Sequence, residues 1–305
     1  MTYDVVILTD RRYLNPSKQD VYEKNVLLED ELVSNALKEE GLQVARKSWD
    51  DPEFDWATTK YALFRATWDY FDRYDQFSTW FKKAATLTKF INSEKLLNWN
   101  IDKHYLRDLN ENGVHIPRTL YIEPQTKTTL QKSFKKAKEI HGFVATDYVL
   151  KPCIAGGARH TYKFHESEIE KYEATFQELI AHEAMMLQEF QENIVRQGEL
   201  SMMVFNGQFS HAVLKIAKPG DFRVQDDFGG SVQRHDASLE EINFALQTVK
   251  AAPELPIYAR VDIFRDNDGD LALAELEIFE PELWFRLYPE AANILASSIK
   301  KQLFS

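Results

Sequence analysis

A chain of 305 residues that is 44% hydrophobic, 28% charged and 13% aromatic can bury a large core, and its length suits one to three globular domains. The net charge of -11 excludes nucleic acid as the main partner, because a phosphate backbone needs a basic footprint, but leaves room for a nucleotide in a locally basic cleft. Apolar runs as short as VVIL (residues 5–8), the start MTYD and a lone Cys153 exclude a membrane span, a secretory leader, a disulfide framework and a cysteine zinc site, so the expectation is a cytoplasmic protein.

Residues 1–92 alternate strand and helix. The spacing predicts a strand at 3–10, an amphipathic helix at 25–41 closed by Gly41, strands at 42–49 and 60–70, and a helix at 73–87. Such alternation implies a parallel sheet with right-handed crossovers, and ligands bind these sheets at the carboxyl ends of the strands. Arg65 to Tyr70 (RATWDY) is therefore a candidate ligand loop, although Trp68 and Tyr70 fit equally well as packing at a domain seam. Arg11, Tyr13, Arg65, Trp68, Asp69 and Tyr70 stand at or near strand ends, where Arg65 suits a carboxylate and Asp69 an amine.

A short helix follows, then a helix holding Lys103 and ending at Gly113, a strand behind Pro117, and an amphipathic helix at 127–142. Residues 147–164 read as strand, glycine loop, strand. Ser167 with Glu170 and Ser238 with Glu241 have capping-box spacing. Three strands are expected within 185–190 and 198–217, the last two turning at Asn206-Gly207, and residues 219–235 read as a mobile loop. A helix at 289–304 closes the chain. His104, His160 and His211 have no evident triad partners, and Cys153 beside Pro152 reads as a small buried filler.

Between 258 and 279 two alternating runs flank Asp266, Asn267, Asp268 and Gly269, which predicts a β-hairpin. Pairing Phe264 with Leu271 sets Arg260 opposite Glu275 and Asp262 diagonal to it, so one face carries Asp262, Glu275 and Glu277 with one guanidinium. Acidic residues on a hairpin are ordinarily solvated, but on a partly buried face they repel and call for a cation; oxygen donors suit Mg²⁺ or Mn²⁺. Asp266, Asp268, Gly269 and Glu275 also fall at EF-hand loop positions, but Phe264 occupies the first of these and the flanks alternate with the period of strands.

No P-loop or dinucleotide fingerprint is present. What is present is an order: Lys103, Lys151, the pair Gly156 and Gly157, LQEF, GELS, Lys215, GDFRVQDDFGG, RVD and AELE. This order resembles the ATP-grasp superfamily over nearly the full chain, and GDFRVQDDFGG is most similar to the glutathione synthetase and ribosomal-protein glutamate ligase branch. RATWDY, NWNIDKHYL and ELEIFEPELWF look closest to the group containing the cycloserine-forming cyclo-ligase. The resemblance implies an α/β protein, α+β in its C-terminal part, with a parallel-sheet domain at 1–92, a central subdomain at 93–190 and a C-terminal subdomain with the metal site at 191–305.

By the same resemblance Lys103 and Lys151 reach the ATP phosphates under Gly156 and Gly157. Gln188, Glu189 and Phe190 form the adenine hinge, Glu199 holds the ribose, and Asp262, Glu275 and Glu277 hold Mg²⁺. Glu277 departs from a frequent asparagine and adds anionic charge. Arg260, Arg223 and Lys215 stand where the family keeps reacting or substrate-facing cations. The implied activity is an ATP-dependent carboxylate–amine ligase that passes through an acyl phosphate on a small amino acid or peptide. The alternatives are an intramolecular cyclo-ligase, a non-catalytic nucleotide-binding module and a calcium-binding structural protein. No nucleic-acid or membrane partner is expected, and a homo-oligomer stays open.

Overall fold

The computed structural model describes residues 2–16, 20–218, 220 and 229–304. The first sheet is built by β1 (Tyr3–Thr9), β2 (Val44–Ser48), β3 (Thr59–Phe64) and β4 (Lys89–Ile91), all parallel, in the order β2-β1-β3-β4. Its crossovers include α1 (Val21–Glu39), opened by a reciprocal Asp20–Glu23 capping box, and α2 (Tyr74–Ala85). The short strand β4 goes beyond the sequence reading. Residues 65–70, expected to continue a strand, leave the sheet as a loop at its carboxyl edge.

Two short helices, α3 (Glu94–Asn100) and α4 (Tyr105–Glu111), lead to a second sheet. Lys103 lies in the turn before α4 and not in the helix, which places its side chain free of helical packing. The second sheet comprises β5 (Thr119–Ile122), β6 (Asp147–Pro152), β7 (Tyr162–His165) and β8 (Met185–Glu189), antiparallel in the order β5-β8-β6-β7. Against it pack α5 (Leu130–His141) and α6 (Ile169–Ile180), forming a core of its own with Phe134, Tyr148, Leu150, Phe176 and Leu187. At α6 the expected Ser167–Glu170 box gives way to a reciprocal box between His165 and Glu168.

After α7 (Glu192–Gln197), a third sheet contains β9 (Glu199–Phe205), β10 (Gln208–Ile216), β11 (Ser231–His235), β12 (Tyr258–Arg265) and β13 (Leu271–Glu277), with α8 (Leu239–Ala251) on one face. The order is β11-β10-β9-β12-β13, antiparallel throughout. Residues 231–235, expected to be loop, form β11; 221–228 lie outside the described residues. The Ser238–Glu241 box opens α8 as read.

The hairpin register differs from the sequence expectation. Arg260 pairs with Glu277 and Asp262 with Glu275, while Ile263 pairs with Leu273, so Ala274 is bulged out of β13. A regular strand would put Leu271, Leu273, Glu275 and Glu277 on one face; the bulge resets the alternation. Leu271, Leu273, Leu276 and Ile278 therefore all join one apolar core, and the two glutamates turn to the other side. The loop is a turn and no EF-hand: the Asp266 carboxylate accepts the amides of Asp268 and Asp270 and meets His115 at 2.7 Å.

The C-terminal helix α9 (Ala291–Leu303) packs against α1, and one core runs from Val5, Ile7 and Leu63 of the first sheet into Phe205, Phe285 and Leu295. Buried Asn92 reinforces this seam: its amide donates to the carbonyls of Tyr258 and Ile278 and accepts the Ile257 amide at 2.6 Å. No helix among the described residues is long and apolar enough to cross a membrane.

Candidate active site

A cleft of about 500 Å³ opens where the three sheets meet, within the range of small-molecule sites. Its floor is one face of the third sheet. Pairing of Glu199 with Lys215, Ser201 with Asp262 and Asp262 with Glu275 carries charged side chains across four strands in a row. Arg260 donates to Asp262 at 2.8 Å and to Glu277 at 2.5 Å; Lys215 reaches Glu199 at 2.6 Å and Asp262 at 3.2 Å; Ser201 donates to Asp262 at 2.6 Å.

The second sheet supplies the facing wall. Lys103 bonds the Ala155 carbonyl at 2.8 Å and Glu275 at 3.1 Å, and Lys151 ends β6 beside the glycine loop. A Cβ on Gly156 would stand 2.7 Å from the Phe71 ring, and Gly157 has φ +55°, so both glycines answer a local requirement. Arg159 clamps the loop base through two bonds to Glu183.

The hinge residues Gln188, Glu189 and Phe190 line the cleft, but their polar groups are largely engaged. Gln188 donates to Thr119; the Glu189 carboxylate accepts from Arg118 and the amides of Val144 and Ala145; Phe190 donates its amide to Asp147 and accepts from Asn267.

The six N-terminal candidates divide. Tyr13, Trp68 and Tyr70 line the cleft. Arg11 instead points outward to Asp50 at 2.9 Å. Arg65 is 3% exposed, enclosed with Glu29 and Asp30 and donating to the Pro281 carbonyl, so it takes no substrate carboxylate. Asp69 is spent on the Trp49 indole at 2.7 Å and Arg73 at 2.6 Å, so it takes no amine. A strand-end position predicted proximity but not the direction of the side chain. Arg223 lies outside the described residues.

Sequence reasoning missed Arg12, Tyr22, Asn100, Glu280, Glu282 and Trp284, which also line the cleft. The signal for Glu280 and Glu282 lay in EPELWF, directly after the alternating run that held attention. Asn100 mimics a strand partner for β13, donating to the Leu276 carbonyl and accepting the Ile278 amide.

Burial penalises each floor carboxylate, and neighbours decide the outcome. For Asp262, Arg260 and Lys215 outweigh burial and hold the carboxyl at about 2. For Glu275, Lys103 and Lys151 outweigh it and lower the pKa. Glu277 is pushed up to about 8, because burial and the charges of Asp262 and Glu275 exceed what Arg260 returns. Burial likewise raises Glu280 to about 7 and lowers Lys151, the latter aided by Lys103. Converging oxygen donors with one carboxyl pushed up by its acidic neighbours make a site short of positive charge, which fits a hard divalent cation. Cys153 stands behind this wall, 1% exposed, its thiol pushed up by burial.

A glycine loop and Lys151 on one antiparallel sheet, with Lys103 beside them from the turn before α4, facing an acidic hairpin on another sheet, make up the arrangement of an ATP-grasp ligase. The comparisons agree with this arrangement: residues 157–278 match the RimK-like ATP-grasp domain model, and residues 5–92 match the model described as D-cycloserine synthetase DcsG, N-terminal domain. It is 26% identical over 280 residues, 88% of this chain and 91% of the other, to the cycloserine biosynthesis protein DcsG of Streptomyces lavendulae. The crystal structure of D-cycloserine synthetase DcsG superposes with a TM-score of 0.86 at 24% identity, covering 98% of this chain and 99% of that one. A D-alanine–D-alanine ligase from Bacillus anthracis gives 0.64 at 13% identity over 98% and 97%.

Proposed function

We propose that this ATP-grasp ligase activates the carboxylate of a small amino acid or peptide with ATP and joins it to an amine as an amide. The observation that carries this reading is the convergence of Lys103 from the turn before α4 and Lys151 from the second sheet with Arg260, Lys215, Asp262, Glu275 and Glu277 from the third on a single cleft. A substrate carboxylate oxygen bonds to the γ-phosphorus as the bond to ADP breaks; the amine nitrogen then bonds to the carbonyl carbon and phosphate leaves. Such transfer needs cations and alignment more than covalent help from the protein.

Lys151 and Lys103 hold phosphate oxygens, and Gly156 and Gly157 let backbone amides approach them. Arg260 and Lys215 keep Asp262 ionised and orient the floor carboxylates, and Arg260 faces the transferring group; a substrate-facing role for Arg223, which lies outside the described residues, rests on the sequence resemblance alone. Asp262, Glu275 and Glu277 would hold Mg²⁺ or Mn²⁺, which when bound supplies charge neutralisation to the phosphates. Gln188 to Phe190 border the adenine and Glu199 the ribose; since Glu199 is paired to Lys215, that contact requires the pair to be shared or exchanged. The division of the chain near residues 92 and 190, and a cytoplasmic location, belong to the same proposal.

The first test is ADP release with a panel of small amino acids. Glu275→Gln is expected to abolish ADP formation while the thermal melt of the apoprotein is retained; full activity in that variant refutes the metal and phosphate assignment. A second reading, ring closure within one substrate molecule, draws support from the 26% identity to a cycloserine biosynthesis protein. It predicts turnover without a separate amine and a product mass equal to the substrate less water.

A further inference from the structure

The charges around the cleft cancel in pairs. Arg12 is bound to Asp10, Lys103 to Glu275, Lys215 to Glu199 and Asp262, Arg260 to Asp262 and Glu277, Glu189 to Arg118 and Glu282 to Arg286. Among the described residues that line the cleft, two charged groups are left without an ion pair, the cation Lys151 and the anion Glu280. Lys151 stands at the glycine loop and is taken up by the phosphates in the reading above. Glu280 has no such use there.

Its surroundings are specific. Glu280 follows β13 and is anchored through its own carbonyl, which accepts the Trp68 indole N–H at 3.0 Å. Its side chain lines the cleft together with those of Trp68 and Tyr70. Trp68 in turn packs edge-on to Tyr13 at 5.7 Å and beside Tyr22 at 6.2 Å, and Tyr70 packs against Phe71 at 5.4 Å. An acidic side chain without an ion pair, set beside aromatic rings, disfavours anions, and both the carboxylate and the ring faces attract a cation.

We propose that Glu280, flanked by Trp68 and Tyr70, receives the ammonium end of the amine substrate, so that the cleft selects a small primary amine over neutral or anionic acceptors. This rests on the reading of the cleft as a carboxylate–amine ligase site. It adds a recognition residue outside the metal and phosphate sets, and it replaces Asp69, whose oxygens are already engaged.

The test uses the full chain with Mg²⁺ and AMP-PNP, and as probes alaninamide, which carries an ammonium and no carboxylate, and N-acetylalaninamide, which carries neither. By calorimetry the wild type binds alaninamide and discriminates against the acetylated probe. Glu280→Gln loses at least tenfold of the alaninamide affinity with nucleotide affinity unchanged, which also reports an intact fold, and Glu280→Asp recovers part of the loss. Three results overturn the proposal: equal alaninamide binding by wild type and Glu280→Gln, wild type that does not prefer alaninamide to the acetylated probe, or loss of Mg²⁺-dependent nucleotide binding in Glu280→Gln, which makes Glu280 a metal ligand. Failure of the wild type to bind nucleotide at all refutes the ligase reading instead, and the probe comparison is then made without nucleotide.

Discussion

His211 lies beneath the segment that carries Glu280 and Glu282 into the cleft, 5% exposed, its Nε2–H donating to the Leu283 carbonyl at 2.8 Å and its Nδ1 meeting Ser210 at 3.0 Å. Phe205, Phe285 and Tyr288 surround the ring, and burial drives its pKa from the ordinary 6.5 down to about 4. Between these values the unfolded chain binds a proton that the folded protein refuses, so stability falls as pH falls through this window. At pH 5 the penalty is about 2 kcal/mol, approaching about 3 kcal/mol once pH drops below 4. A loss of about 2 kcal/mol lowers the melting temperature of a chain this size by roughly 3 °C. His211→Gln keeps an N–H for Leu283 but cannot ionise. The assay is the difference in melting temperature between pH 7.5 and pH 5 for both proteins. The wild type is expected to drop by roughly 3 °C more than the variant; parallel drops would show that the imidazole is not held neutral by burial.

Two further changes probe the facing wall. Lys151→Met removes a half-buried cation that makes no ion pair and whose charge burial disfavours, so the apoprotein should melt no lower than the wild type. Nucleotide binding should weaken roughly ten- to a hundredfold, the worth of about 1.5–3 kcal/mol for hydrogen bonds to a charged group; a lower melt with unchanged affinity contradicts this. Gly156→Ala presses a methyl group into the Phe71 ring and should cost about 1–3 kcal/mol, most of it recovered when Phe71→Ala is added. An equal cost in both backgrounds would place the strain elsewhere.

Much of this was legible in the sequence because the strongest local signals are also the structural ones. Period-2 and helical patterns gave the parallel sheet and the antiparallel hairpins, and the ordered lysines, glycines and acids gave the cleft. What stayed hidden depends on partners far along the chain. The bulge at Ala274 is an extra residue whose effect appears only when β13 pairs with β12. Arg65 and Asp69 were read as ligand groups because a loop at a strand end invites that reading, yet Glu29, Asp30, Trp49 and Arg73 come from elsewhere to claim them. Glu280 is the converse case: what singles it out is that no described residue forms an ion pair with it.

The shared core between the first and third sheets has a mechanical consequence. Asn92, Arg65 and Trp68 fasten these two bodies through bonds to backbone carbonyls, and α1 and α9 pack together behind them. The second sheet keeps a separate interior and reaches the neighbouring core chiefly through Cys153 and Met186. Widening the cleft at the first-to-third seam would tear apart continuous hydrophobic packing, whereas tilting the second sheet would disturb that narrower apolar attachment and a few bonds, such as those from Asn267 to the Phe190 carbonyl and from Lys103 to the Ala155 carbonyl. Lys151 and its glycine loop thus belong to the body with the narrower apolar attachment, while Asp262, Glu275, Glu277 and Glu280 belong to the two bodies that share a core.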